Sequence, residues 1–285
     1  MKLKNERSVA ILMATYNGSR YISEQIESIL NQTFTDWSLY IQDDGSTDNT
    51  RDVIKQYVEK DNRIVIVDTG LTRQGAGLNF MNLLNMVESE YYMFSDQDDV
   101  WFVDKIEKTY LRMKEEEKLH PDKPVLVHTD RRHTDALLNV TLESEFNPNG
   151  LSYERIKRKI DLLKNPNILK IYTIAGGCTM MLNYLAKKLS FPFIGLRVHD
   201  SICAMAVVNN HGVISSILEP TMYYRIHGNN TCGVSSTSIK DKLLNIFSTI
   251  SSNMKGFYIW KVYGGGSFFK FLYWRIRYFL ILRLN

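Results

Sequence analysis

Apolar runs and amphipathic stretches alternate along the first hundred residues. Runs at 9–13, 37–42, 63–67 and 91–94 read as strands, and the segments near 19–31, 48–60 and 77–89 carry apolar positions at helical spacing. Strand followed by helix, repeated in this way, predicts an α/β fold with a mostly parallel central sheet flanked by helices. The run at 9–13 is too short for a leader or a membrane span, so it reads as a buried strand. Sheets of this kind take ligands beyond the carboxyl ends of their strands. The polar clusters of this chain stand there.

Three clusters obey that rule. Ala14-Thr15-Tyr16-Asn17-Gly18 follows the first strand, Asp43-Asp44-Gly45-Ser46-Thr47-Asp48 the second, and Asp96-Gln97-Asp98-Asp99-Val100-Trp101 the fourth. In the last, Asp96 and Asp98 stand two apart, so an extended backbone puts both carboxylates on one side. Such a pair suits a hard divalent cation, Mn2+ or Mg2+, that completes its shell with water and the phosphates of a nucleotide diphosphate. A single Asp-x-Asp is often only a solvated loop, and Gly-Ser-Thr-Asp alone only a turn and a helix cap. Clusters at successive strand ends outweigh both bland readings.

Composition narrows the classes. With 285 residues, 44% of them hydrophobic, the chain can bury a full core. A formal charge of +4 is too mild to indicate nucleic acid as the partner. Cys178, Cys203 and Cys232 show no Cys-x-x-Cys spacing and an odd count, which fits reduced thiols in the cytoplasm. The glycines at 75 and 77 do not make a dinucleotide fingerprint, because Phe80 stands where the third is required.

Together with Gln32-Thr33-Phe34, the three clusters resemble the signature of family 2 glycosyltransferases, inverting enzymes of the GT-A fold, and within them the bacterial rhamnosyltransferase-like branch. The resemblance covers about residues 8–235. It implies a GT-A domain over 1–240, with a nucleotide-binding half at about 8–110 and an acceptor half at about 111–235. By position it implies that Tyr16 stacks near the nucleobase and Asp44 hydrogen-bonds its edge, that Asp96 lies by the ribose, that Asp98 binds the metal, and that Ala14, Asn17 and Asn79 belong to the nucleotide-sugar site. Asp99 supports the loop. In the second half, Ala175-Gly176-Gly177-Cys178-Thr179 and the later His199-Asp200 resemble the acceptor segment and its general base, Asp200. Arg225-Ile226-His227-Gly228 resembles the stretch that closes over the diphosphate, with Arg225 as a phosphate clamp and His227 as a further metal ligand.

The implied activity is transfer of a sugar, with dTDP-L-rhamnose as the first donor and a UDP-hexose or UDP-N-acetylhexosamine as the alternative, to a saccharide of the cell surface. No Gln-x-x-Arg-Trp motif of processive members is present. A non-catalytic sugar-nucleotide-binding scaffold would keep the nucleotide clusters without needing Asp200.

Residues 241–285 lie beyond the resemblance. From 242 onward there are seven Lys or Arg and no Asp or Glu, interleaved with aromatics. That composition predicts a helical extension lying on anionic lipid, and hence a protein peripheral to the inner face of the cell membrane that meets a lipid-linked acceptor. Packing on the domain or in a homo-oligomer is the competing expectation.

Overall fold

The computed structural model describes residues 2–193, 198–228, 254 and 256–282. Its strands are β1 (Leu3–Lys4), β2 (Val9–Thr15), β3 (Trp37–Asp43), β4 (Ile64–Ile66), β5 (Val87–Glu88), β6 (Tyr91–Ser95), β7 (Val100–Trp101), β8 (Val125–Thr134), β9 (Val140–Leu142), β10 (Met180–Asn183) and β11 (Val213–Arg225). The helices are α1 (Ile22–Leu30), α2 (Thr50–Lys60), α3 (Ala76–Met86), α4 (Lys105–Leu119), α5 (Tyr153–Leu163), α6 (Pro166–Leu169), α7 (Tyr184–Leu189) and α8 (His199–Asn209). Two more follow, α9 over 256–262 and α10 (Phe268–Leu282). Of the C-terminal extension expected at 241–285, positions 241–253, 255 and 283–285 lie outside the described residues, as does Cys232.

The main sheet runs β4-β3-β2-β6-β10-β8-β11-β7, with β9 paired to β8. From β4 to β6 all pairings are parallel, as the alternation of runs requires. The acceptor half is mixed: β10 lies antiparallel to both β6 and β8, β8 and β11 are parallel, and β7 is antiparallel to β11.

Burial explains why the first strands read as unbroken apolar runs. Ala10 and Leu12 of β2 enter one core with Phe80 and Leu84 of α3 and Cys203 and Val207 of α8. Val9, Ile11 and Met13 enter the opposite core with Ile22 and Ile26 of α1, Trp37 of β3 and Ile106 of α4. A sheet covered on both faces has no solvent-facing positions to fill with polar side chains. The pattern also places some boundaries loosely. The helix expected from 19 starts at Ile22, because Gly18 O accepts from both Tyr21 N and Ile22 N in a turn. The one expected to reach 89 stops at Met86, where the chain extends into β5 and pairs with β1. In β11, Pro220 has no N–H for a ladder, and the register with β8 shifts on both sides of it.

Candidate active site

The carboxyl ends of β2, β3 and β6 lie side by side, and the loops leaving them are tied to one another. Gln97, the middle residue of Asp96-Gln97-Asp98, makes a reciprocal pair with the Tyr16 backbone: Tyr16 N donates to Gln97 Oε1 at 3.0 Å and Gln97 Nε2 donates to Tyr16 O at 2.9 Å. Gly18 leaves room for it, since a Cβ there would stand 2.1 Å from Gln97 Oε1. Asn17, at φ 47°, donates from its N to Ser46 Oγ at 2.8 Å and accepts from Thr47 N at 2.8 Å, joining the first loop to the second. Ala14 is buried at the end of β2, whereas the Tyr16 ring is exposed. Asp43 accepts from Arg51 Nε at 2.6 Å and from Ser46 N at 2.9 Å. These partners outweigh its burial and hold its carboxyl below the usual range.

The two carboxylate oxygens of Asp44 accept from Gln74 N at 2.9 Å and Gly75 N at 2.8 Å, which pins the loop that leads into α3. Asn79 is fully buried, and its Nδ2 donates to Gln42 O at 3.1 Å, which fastens α3 to β3.

At the end of β6 the acidic residues separate by depth. Asp98 is partly buried and its Oδ2 lies 2.8 Å from His227 Nε2, uniting two expected metal ligands that are 129 positions apart. The His227 ring is held against Tyr21, centroid to centroid 4.8 Å. Asp99 is fully buried, with Oδ1 accepting from Arg225 N at 3.1 Å and Oδ2 without a hydrogen-bond partner. Burial, reinforced by Asp96 and Asp98, pushes its carboxyl well above the usual range. Burial and the neighbouring Asp98 also push Asp96 up, to about 7.

Arg225 is buried, with its guanidinium engaged by the protein: Nε donates to Asp98 O at 2.9 Å, Nη1 to Ala136 O at 2.8 Å, and Nη2 to Glu24. A planar fork with fixed donors holds a folded loop as readily as a phosphate. Here it sets the path of the loop that carries Asp98.

Behind the acidic loop lies a grouping that the sequence pattern did not bring together. Asp96, Asp99 and the Cys178 thiol offer ligand atoms within 4.8 Å of one another. They are already compensated by cations. Arg131 Nη1 stands 3.6 Å from Cys178 Sγ, and its guanidinium covers the Tyr224 ring at 3.9 Å. Fully buried Lys105, brought down to about 8 by desolvation, adds a second positive charge near Asp99 and Cys178. Burial, with Asp99 and Asp96 nearby, raises the Cys178 thiol well above its usual range. Arg131 in turn pairs with Glu145, which also lies 2.9 Å from His133 Nε2. Burial would raise Glu145, but these two partners hold it at about 2. The hint available in sequence was Arg131 itself, two cations deep in a segment otherwise suited to a buried strand.

The acceptor side closes over this base. Asp200 is buried in the first turn of α8, with Ser201 N donating to its Oδ1, and its charge is felt at Asp96. The candidate base thus lies within electrostatic reach of Asp96 in the acidic loop. The preceding His199 is buried between Phe80 and Phe94, at ring separations of 4.3 and 4.7 Å, with neither ring nitrogen hydrogen-bonded; desolvation lowers its pKa. Its ring fills the space over Gly177, where a Cβ would come within 2.1 Å of Nε2, while a Cβ on Gly176 would come within 2.7 Å of Arg131 Nη1. Gly177 lets the turn before β10 approach the start of α8, which carries Asp200, and Gly176 leaves room for Arg131 of β8. Gly177→Ala is expected to displace the start of α8 and lower transfer by about 10² with donor affinity retained, as a misplacement of about 1 Å can do. Steady-state kinetics beside donor titration checks it, and unchanged turnover would show that the contact is slack.

Comparison with known proteins now decides the family. The model of glycosyl transferase family 2 matches residues 10–189. The chain belongs to glycosyl transferase family 2. Among its relatives, a stretch of 98 residues is 43% identical to the dTDP-rhamnosyl transferase RfbG of Shigella flexneri, covering 33% of this chain and 34% of that protein. The putative teichuronic acid biosynthesis glycosyltransferase TuaG of Bacillus subtilis is 37% identical over 100 residues, 35% of this chain and 39% of its own length. These matches thus span little more than a third of either relative. An uncharacterized glycosyltransferase of Methanocaldococcus jannaschii is 26% identical over 90% of this chain and 84% of its own. The crystal structure of S. aureus TarS with UDP-GlcNAc superposes with a TM-score of 0.58 at 17% identity, over 87% of this chain and 66% of that one. The mannosyltransferase of Pyrobaculum calidifontis, solved with GDP-Man and Mn2+, gives 0.55 at 15%, over 79% and 58%. The family 2 chain accordingly has the GT-A type of fold.

Proposed function

We propose that this family 2 chain is a metal-dependent, inverting glycosyltransferase that moves one sugar from a nucleotide diphosphate to a saccharide in bacterial cell-surface polysaccharide assembly. The observation that carries the reading is the meeting of Asp98 and His227, 129 positions apart in the chain, with Asp96 beside Asp98 and Asp200, at the start of α8, near enough for its charge to reach Asp96. Inversion requires a base on the face opposite the leaving group. Asp200 takes the proton of the acceptor hydroxyl, and the exposed Tyr16 ring, with Asp44 and Asn17 holding the loops around it, receives the nucleobase.

The residues fit a divalent cation. Asp98 and His227 offer a carboxylate and an imidazole with Asp96 beside them, whereas Asp99 and Cys178 are enclosed by Arg131 and Lys105. Bound there, Mn2+ or Mg2+ would neutralise charge on the departing diphosphate.

The donor proposed is dTDP-L-rhamnose, on the strength of the partial likeness to the Shigella rhamnosyl transferase. The acceptor proposed is a lipid-linked saccharide at the inner face of the cell membrane. Screening nucleotide sugars by thermal shift with and without Mn2+, then measuring turnover, tests the reading. A metal-dependent shift largest for dTDP-L-rhamnose is expected. A larger one for a UDP-sugar transfers the assignment to the UDP-hexose alternative, and no response to any nucleotide diphosphate overturns the function.

A further inference from the structure

Away from the candidate site, α10 carries an exposed apolar stripe. Its inner side is anchored: Phe271 and Ile281 are buried, Phe271 packs near Trp260 of α9 at 6.2 Å, and Tyr278 stacks on Tyr172 at 3.6 Å with planes 10° apart. The helix thereby rests on α5 and α6. Its outer side is bare. Phe269, Tyr273, Ile276 and Leu280 are 82, 54, 60 and 60% exposed. At about 100° per residue these four fall within an arc of roughly 60°, flanked on one side by Lys270 and Arg277. Four large apolar side chains in one stripe differ from the scattered exposures common on any surface.

We propose that α10, with the neighbouring face of α5, docks on an anionic lipid bilayer. The charge pattern selects that occupant. From 242 to the C-terminus there is no Asp or Glu, and α5 adds exposed Arg155, Lys157 and Arg158 beside Glu154 and Asp161. Anionic headgroups complement such a face, with the apolar stripe sinking to the acyl boundary and the cations staying at the headgroups. A second copy would instead bring two cation-rimmed stripes together, and like charges oppose that contact. The helix lies along the surface. At 15 residues it rises only about 22 Å, short of the roughly 30 Å hydrocarbon core, and among the described residues no helix is long and apolar enough to cross a membrane.

The position of the helix connects this surface to the candidate site. Tyr172, on which α10 stacks, opens the segment that runs into Gly176-Gly177, and Tyr278 lies close enough to Glu145, the partner of Arg131, to feel its charge. Docking would therefore hold the acceptor side next to the membrane, which deepens the proposed function by giving the setting in which a lipid-linked acceptor is met.

Flotation of the full chain with phosphatidylcholine vesicles, with and without phosphatidylglycerol, tests the proposal without any transfer being measured. The protein is expected to float only with the anionic vesicles and to be released as salt rises. Phe269→Ser/Ile276→Ser and Lys270→Glu/Arg277→Glu should each cut the bound fraction about tenfold at unchanged melting temperature. Wild-type protein that stays with the soluble fraction, or double variants that float like it, would overturn the proposal. So would a wild-type dimer that becomes monomeric in the Phe269→Ser/Ile276→Ser variant without any lipid binding, since the stripe would then be a contact between copies. Floating protein that binds no nucleotide sugar would uphold the membrane surface and sink the enzymatic reading, so the two failures are distinct.

Discussion

Asp200→Asn lowers transfer by a factor of about 10² to 10⁴ while leaving donor and metal affinity close to those of the native protein. The amide keeps the shape of the carboxylate and can still accept from Ser201 N, so α8 has no reason to move. It cannot take the acceptor's proton. Donor affinity is read by isothermal titration and transfer by product formation under saturating donor, and the prediction is that the two separate. Near-normal transfer in the variant would remove Asp200 from the role and leave the scaffold reading, which needs nucleotide binding alone.

Asp98→Asn is expected to act on the metal instead. Its carboxylate faces His227 at 2.8 Å, and replacing it removes the formal charge on which a hard cation depends. Stabilisation by Mn2+ with nucleotide diphosphate should disappear from thermal melts, and transfer should fall by at least about 10². The melting temperature without ligand should change little, because the buried contacts of the loop belong to Asp98 O and to Asp99, which the substitution leaves in place. Retained activity with unchanged metal dependence would show that the cation is held elsewhere, or is not needed.

The nucleotide half was legible in the sequence because of how it is built. Strands β2, β3 and β6 are buried on both faces, so they appear as apolar runs, and each ends in polar residues that leave the sheet at the same edge. The pairing of Asp98 with His227 was not available from spacing. It depends on β11 running beside β8 and β7, a contact across more than a hundred positions, and only the family resemblance brought those residues together. The present partners of Arg225 and Asn79 were equally illegible, since they include main-chain carbonyls of Asp98, Ala136 and Gln42, which no side-chain pattern announces. The reversal at β10 was equally hidden, since Met180–Asn183 is short and apolar in either direction.

The reciprocal pair between Gln97 and the Tyr16 backbone bears on how such a chain can change its substrate. The ring proposed for the base and the carboxylates proposed for the metal are carried by two loops that Gln97 and Gly18 lock into register. Neither loop can be rerouted alone without breaking two hydrogen bonds and the close approach at Gly18. Exchange of one nucleotide for another therefore has its freedom in side chains such as Tyr16, while the spacing between the proposed base and diphosphate sites is inherited as a unit.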